Sequence, residues 1–303
     1  MSEQLDLFAP ESNLEVKLQS DLIEAIRQRD PIAIGEARAI LSAGFPEDPL
    51  LPAASVLQAA LTTTVSGDTH EAAAAQIDHL ESVVVPAARA ALGTTASTWL
   101  APLWQAQARH WAHLGFVPAW PTAHSAPLWL QAHQWATARQ SITTMSPDWR
   151  ENPIALGWMA RALQGEAGTD SQDLWVCLIE LAWRDAQGFS ETARRIDLPA
   201  LQRLLKPFEA NFLSAQTSHA WFPAWLVQAH PAATTRLIER SRPCGGTPAE
   251  AAARLIVRIL DVERRADQAL LARLRAELRE CHADLFELHM RSRTALPARY
   301  LRG

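Results

Sequence analysis

Helix-start and helix-stop signals recur along the whole chain and constrain its fold more than any other feature. Asp30-Pro31 is the pattern of an N-cap residue followed by the first residue of a helix. Gly44, followed closely by Pro46, is typical of a helix end. Alternating runs of β-branched, aromatic and polar residues, which would predict strands, are hard to find. The chain is therefore predicted to be all-α.

The first helix is predicted to begin at a capping box, with Ser12 as N-cap and Glu15 three residues later. Leu14, Leu18 and Leu22 then recur at helical spacing. Short connections predict that neighbouring helices stack in pairs. Beyond the first two, helices are predicted over 52–64, 70–84, 86–92, 97–114, 126–142, 153–165, 171–187, 198–213, 219–229, 231–241, 249–264 and 267–291.

The first predicted helix pair resembles a tetratricopeptide-type repeat at Ala25, Gly35, Ala37, Leu41 and Pro46. This resemblance implies a degenerate helical-hairpin repeat array, an α-solenoid of the tetratricopeptide or HEAT type. A strict period of roughly 34 residues does not carry the motif through the rest of the chain. We predict a flexible tail over 1–11 and a single all-helical repeat domain over 12–303, with a candidate sub-boundary near 242–248.

Charge is unevenly distributed along the 303 residues, whose formal net charge is −5. Residues 1–98 hold 14 acidic and 5 basic side chains, a net charge of −9, whereas residues 236–303 hold 9 acidic side chains and 14 arginines, a net charge of +5. An acidic chain is a poor non-specific binder of nucleic acid. We therefore expect protein partners and no direct nucleic-acid binding.

The three cysteines, Cys177, Cys244 and Cys281, are widely spaced and form no CxxC pair. Their odd number and wide spacing favour reduced thiols over a disulfide framework or a zinc ribbon. The N-terminal sequence shows no basic segment followed by an apolar run, and the least charged stretch, 90–108, is too polar for a membrane span. We expect a cytoplasmic protein with no membrane partner.

Aromatic residues are concentrated in segment 82–147, which contains no Asp or Glu. One interpretation is an interaction groove that stacks bases or binds an anionic peptide. The other is a buried core, since tryptophan fills space well and buried segments avoid charge. The candidate groove residues are Trp104, Trp111, Arg109, Trp129, Trp135 and Arg139.

Sequence signatures of catalysis are missing: no HExxH, GxSxG, P-loop or GxGxxG motif occurs. His110 and His113 share a helical face but have no nearby third ligand, so we expect no metal. We predict a non-enzymatic protein with no cofactor and no catalytic residues. One enzymatic alternative is a HEAT-like DNA glycosylase, because Trp183-Arg184-Asp185 and Trp149-Arg150 supply the residue types that such enzymes use on a solenoid's inner face.

The last predicted helix carries apolar residues at alternating three- and four-residue steps, which is a coiled-coil-like seam. It extends over less than three heptads, so it also fits a C-terminal helix that docks on its neighbour. The candidate partner seam consists of Leu271, Leu274, Leu278, Leu285 and Leu288.

The N-terminal pentapeptide Gln4-Leu5-Asp6-Leu7-Phe8 resembles the peptide by which bacterial proteins dock on the replication sliding clamp. The family pattern is glutamine, leucine, serine or aspartate, leucine and phenylalanine, and all five positions match. The resemblance implies that Gln4 hydrogen-bonds at the rim of the clamp pocket and that Leu5 occupies a shallow apolar site. It also implies that Leu7 and Phe8 enter a deep hydrophobic pocket as the hot-spot pair.

Two functions follow from these patterns. The first is a helical-repeat adaptor in DNA replication or repair that tethers a protein partner to the sliding clamp. The second is a regulatory or scaffold protein unrelated to DNA, in which Leu5, Leu7 and Phe8 fold back and cover the open end of the array.

Overall fold

The computed structural model describes residues 10–167, 171–214, 217–265 and 267–294, and these ranges consist of helices and their connections. They contain no strand, and their one β-bridge joins Ser214 to Thr217. The all-α prediction is confirmed, whereas the superhelical geometry of a solenoid stays a prediction. The helices are α1 (Pro10–Gln28), α2 (Pro31–Gly44), α3 (Leu50–Thr62), α4 (His70–His79), α5 (Val85–Leu92), α6 (Ala96–His110), α7 (Ser125–Gln131), α8 (Trp135–Met145), α9 (Pro153–Ala167), α10 (Gln172–Arg184), α11 (Ala186–Arg195), α12 (Pro199–Asn211), α13 (Phe222–Ala229), α14 (Pro231–Arg240), α15 (Pro248–Arg265), α16 (Gln268–Cys281) and α17 (Ala283–Thr294).

The chain divides into two compact units, Met1–Ala138 and Arg139–Gly303, and the division lies within α8. The single repeat domain over 12–303 and the sub-boundary near 242–248 stay predictions, and residues 242–248 lie inside the second unit. No helix in the described part of the chain combines the length and the apolar character that crossing a bilayer requires.

The first unit is built by helices that pack on their neighbours in sequence. Asp30 caps α2 as predicted: its Oδ1 accepts hydrogen bonds from Ile32 N at 2.9 Å and from Ala33 N at 3.2 Å. Helix α1 packs on α2 and α2 on α3, while α5 packs on α3 and on α6. Leu22, Ile26, Ile34, Leu41 and Leu57 are among the fully buried side chains of this core.

A hydrogen-bonded junction joins α1 to α6 inside the first unit. Trp99 Nε1 donates to Ile26 O at 2.6 Å, and Arg29 donates to Trp99 O. The Arg29 guanidinium also lies over the Trp99 ring, 4.8 Å from the centroid, in a cation–π contact. Arg29 has a left-handed backbone with φ of +59°, which ends α1 and directs the chain into α2.

In the second unit, α10 and α13 both pack against several neighbours. Helix α10 contacts α9, α11, α13 and α14, and α13 contacts α12, α14, α15 and α17. Helix α15 then packs on α16, and α16 on α17. The core that these helices bury includes Ile179, Trp183, Val227, Ile256 and Ile259.

Four predicted helix boundaries are wrong. Helix α1 begins at Pro10 rather than after a cap at Ser12. The predicted helix over 126–142 is divided at His133, whose left-handed backbone ends α7, and the one over 267–291 is divided at His282. The predicted helix over 171–187 ends at Arg184, because Asp185 is extended and its Oδ1 caps α11 by accepting a hydrogen bond from Gly188 N at 2.9 Å.

A further boundary, predicted between 84 and 86, is not a break. Helices α4 and α5 are joined by the π-helical turn Leu80–Val84, in which Val85 N donates to Leu80 O. Pro86 accounts for this geometry, since its ring lacks an N–H and would clash with the carbonyl of Ser82 in a regular α-helix. The wider turn avoids the clash without ending the helix.

Candidate functional site

The clamp-docking motif, Gln4-Leu5-Asp6-Leu7-Phe8, lies outside the described residues. Helix α1 begins at Pro10, two positions after the motif ends. Proline is common at the first position of a helix, because its missing N–H would have no intrahelical acceptor there. The first structural element that can support the motif is therefore the α1–α2 pair.

The α1–α2 pair carries several exposed large hydrophobic residues. Seven large hydrophobic residues are exposed in the described ranges, and four of them, Leu14, Val16, Ile32 and Ile40, lie on these two helices. Leu14 is 52% exposed and Ile40 is 57% exposed. Isolated exposed apolar residues are normal, and of these four only Ile40 lines the groove between the two helices.

A groove of about 350 Å³ lies between α1 and α2, and we call it the N-terminal groove. Its apolar part contains Leu18, Ala33 and Ile40, and its rim carries Glu24 and Glu36. No basic side chain lines it, so it favours an apolar segment with positive charge. The full lining is Leu18, Asp21, Glu24, Ala25, Gln28, Ala33, Glu36, Ala37 and Ile40.

The Trp-rich segment is mainly core. Trp104 and Trp111 are buried in the first unit, and Trp129 is partly buried against the same cluster. Trp135 is half-buried at the start of α8. The buried-core interpretation thus accounts for Trp104 and Trp111, whose faces are not available to a ligand.

The two arginines of the candidate groove are exposed, and each has a local partner. Arg109 donates to Gln105 Oε1 at 3.2 Å on its own helix. Arg139 belongs to the second unit and forms an ion pair with Glu166, with 3.0 Å between Nε and Oε2. Among the described residues, Arg109 and Arg139 therefore do not form one surface with the buried tryptophans.

The histidine pair also has structural contacts. His110 Nε2 lies 2.8 Å from Gly67 O, and His113 Nδ1 lies 2.9 Å from His110 O. Across the described residues, no three His, Cys, Asp or Glu side chains are grouped so that they can hold a metal ion.

The candidate partner seam belongs to two helices rather than one. Leu271, Leu274 and Leu278 of α16 and Leu285 of α17 are buried in the core of the second unit, and Leu288 packs against it partly buried. His282 separates the two helices and caps α17, since its Nδ1 accepts a hydrogen bond from Leu285 N at 3.3 Å. These side chains fill the unit's own core, as expected of helices that dock on their neighbours.

The residues of the glycosylase alternative are engaged in packing and in ion pairs. Trp183 is buried beneath the Arg254 guanidinium, 5.2 Å from the ring centroid. Arg150 forms two hydrogen bonds to the buried carboxylate of Glu180, at 2.9 and 2.5 Å. Asp185 caps α11. Arg184 donates to Pro243 O at 3.2 Å, so all four of these candidate side chains, Trp183, Arg150, Asp185 and Arg184, have contacts within the second unit.

Two buried glutamates organise the segment between α14 and α15. Glu180 Oε1 accepts a hydrogen bond from Arg242 N at 2.7 Å, in addition to those from Arg150. Glu250 Oε2 accepts from Cys244 N at 2.9 Å and from Gly246 N at 3.1 Å. A buried carboxylate that accepts several hydrogen bonds from the protein fixes the backbone around it. The segment Cys244-Gly245-Gly246, which connects α14 to α15, is therefore held by hydrogen bonds to Glu250.

An apolar pocket in the first unit was missed by sequence analysis. It has a volume of about 370 Å³ and lies between α3, the α4–α5 helix and α6; we call it the α3–α6 pocket. The available sequence signal was Pro86, which explains the π turn along one wall, and π turns are frequent at functional sites. The lining consists of Val56, Ala59, Ala60, Thr63, Thr64, Val65, Ala75, Gln76, His79, Leu80, Val83, Val84, Leu103, Ala106 and Gln107.

The three thiols should differ in reactivity. Burial raises the pKa of the Cys177 thiol to about 12 and that of Cys244 to about 11, and burial also raises the pKa of the half-buried Cys281. A raised pKa lowers the thiolate fraction, and the thiolate is the nucleophile. At pH 8 we expect iodoacetamide to modify Cys281 first, as mass spectrometry of the digested protein would show.

The matched control for this prediction is Cys281→Ser, which should leave native protein with no rapidly modified thiol. In denaturant, all three cysteines of the original chain should react. Equal modification of Cys177 and Cys281 in native protein would contradict the buried position of Cys177.

Comparison of the chain with protein-family models, curated protein sequences and solved structures finds no significant match.

Proposed function

We propose that this protein is a non-enzymatic helical adaptor that docks on the bacterial sliding clamp through residues 4–8. The observation that carries the proposal is the match of Gln4-Leu5-Asp6-Leu7-Phe8 to all five positions of the clamp-binding pattern. The setting would be DNA replication or repair, and the contact with DNA would be indirect, through the clamp.

The α1–α2 pair supports an interaction role for this end of the chain. Helix α1 starts two positions after the motif, and the pair carries four of the seven exposed large hydrophobic residues in the described ranges. The N-terminal groove adds an apolar floor with an acidic rim, which suits a basic amphipathic helix of a second protein. An adaptor needs one binding surface for each of its two partners. Here the docking motif and the N-terminal groove are adjacent in sequence.

The test is a titration of purified bacterial sliding clamp with the full chain and with its Leu7→Ala/Phe8→Ala variant. Hot-spot side chains contribute about 2 kcal/mol or more each, so the double variant should lose affinity by at least about 100-fold. Isothermal titration calorimetry or biolayer interferometry measures this difference directly.

Ile32→Ala is the matched control, since Ile32 is an exposed apolar residue outside the motif. It should keep the affinity within about two-fold. Absence of clamp binding by the original chain, or equal binding by the double variant, would favour the regulatory protein unrelated to DNA.

A further inference from the structure

The α3–α6 pocket has the size and lining of a small-molecule site. Ligand pockets commonly measure roughly 300–1,000 Å³ and are mostly apolar with a few placed polar groups. The volume here is about 370 Å³, and the apolar walls come from residues such as Val56, Leu80, Val84 and Leu103. The lining contains no Asp, Glu, Lys or Arg, and its one titratable side chain is His79. A neutral ligand is therefore preferred, because nothing in the lining offsets the desolvation of a charge.

One lining residue, Gln107, has a hydrogen-bonding group that the protein does not use. Gln107 is only 7% exposed, and its Oε1 accepts a hydrogen bond from Trp111 Nε1 at 2.7 Å. An indole N–H can only donate, so this contact fixes which end of the amide faces Trp111. The Nε2 group is left with two N–H donors and no acceptor among the described residues.

A second glutamine of the lining differs from Gln107, because its amide nitrogen has an acceptor. Gln76 also lines the pocket, but its Nε2 donates to Ser66 O at 2.5 Å. Gln107 Nε2 is not one of the fully buried polar atoms without a partner in the described residues, so it is accessible at the wall of the pocket. An acceptor atom of a bound molecule would supply the missing partner for Gln107.

The π turn contributes part of the pocket wall. Leu80, Val83 and Val84 belong to this turn, and all three line the pocket. Because Pro86 imposes the wider turn, the backbone fixes the positions from which these three side chains extend. Val83 is also 37% exposed, so this part of the lining presents an apolar side chain to solvent.

We propose that the α3–α6 pocket binds a neutral, apolar small molecule that carries a carbonyl oxygen, which accepts a hydrogen bond from Gln107 Nε2. The ligand class is that of ketones, esters and amides with a compact hydrocarbon body. This inference is independent of clamp docking: the pocket involves α3 to α6, and the docking motif precedes α1.

The experiment compares two probes of the same shape, benzophenone and 1,1-diphenylethylene, which differ in having a carbonyl or a methylene group. Both are titrated into the full chain and followed by tryptophan fluorescence. A net hydrogen bond predicts that benzophenone binds about three- to ten-fold more tightly. Irradiation of bound benzophenone should then cross-link it to peptides from 56–84 and 103–107, as mass spectrometry would locate.

Different variants test the pocket and the hydrogen-bond donor of Gln107 separately. Ala106→Phe fills the pocket from an exposed helical position and should abolish saturable binding of both probes, whereas Ala90→Phe, an exposed alanine outside the lining, should not. Gln107→Met removes the donor and should bring the ratio of the two affinities to about one.

Unchanged binding by Ala106→Phe, or cross-links distributed over the whole chain, would overturn the site. Equal affinity of the original chain for the two probes would overturn the role of Gln107. The ratio of the affinities for the two probes is measured within each variant, so a loss of stability in Gln107→Met does not determine that ratio. Ala106→Phe tests the site without altering the contact between Gln107 and Trp111.

Discussion

Replacing Trp111 with alanine should lower the free energy of unfolding of the first unit by about 3–5 kcal/mol. Trp111 is fully buried in the core of this unit, and its indole N–H is satisfied by Gln107. The substitution leaves a cavity the size of an indole ring and removes the partner of Gln107 Oε1. Urea unfolding followed by circular dichroism measures the change.

Trp120 provides the matched control within the same Trp-rich segment. It is 40% exposed, so Trp120→Ala should cost less than about 1 kcal/mol. Similar losses for Trp111→Ala and Trp120→Ala would contradict the view that this segment is core at Trp111 and surface at Trp120.

Glu180→Ala should be comparably damaging in the second unit, with a loss of about 3–5 kcal/mol. Glu180 is fully buried, and its carboxylate accepts hydrogen bonds from the Arg150 guanidinium and from Arg242 N. Its removal leaves the Arg150 guanidinium without a counter-charge and a backbone N–H without an acceptor. Thermal and urea unfolding of the full chain should both report the destabilisation.

The control for Glu180 is Glu287→Ala, which breaks an exposed ion pair with Arg291 at 2.8 Å. Exposed pairs contribute little, so this change should remain within about 0.5 kcal/mol. A double-mutant cycle with Arg150→Ala then isolates the pair: we expect a coupling energy above about 1 kcal/mol. Additive effects of Glu180→Ala and Arg150→Ala would show that the two side chains do not stabilise each other.

The sequence predicted fold class and several helix starts because those signals are local. Asp30 with Pro31 contains all that the start of α2 needs, and the structure confirms the cap. The missed helix boundaries depend on residues that less commonly cap or end a helix. His282 caps a helix with a ring nitrogen, and His133 takes a left-handed backbone that is usually occupied by glycine.

The candidate sites were harder to predict because burial depends on packing between distant segments. The periodicity of Leu271, Leu274 and Leu278 is the same whether they face a partner or their own core, and the structure places them in the core. The α3–α6 pocket brings together side chains from residue 56 to residue 107, and no local pattern reveals such a juxtaposition. The direction in which Gln107 presents its Nε2 group is known only once the contact of its Oε1 with Trp111 Nε1 is known.

Clamp docking is tested most directly with a peptide of residues 1–12, titrated into purified bacterial sliding clamp beside the full chain. If residues 4–8 carry the interaction, the peptide should retain the affinity of the full chain within about ten-fold, a difference of roughly 1.4 kcal/mol. The same peptide with Leu7→Ala and Phe8→Ala should not bind. Absence of binding by the original peptide, or equal binding by both peptides, would contradict the account.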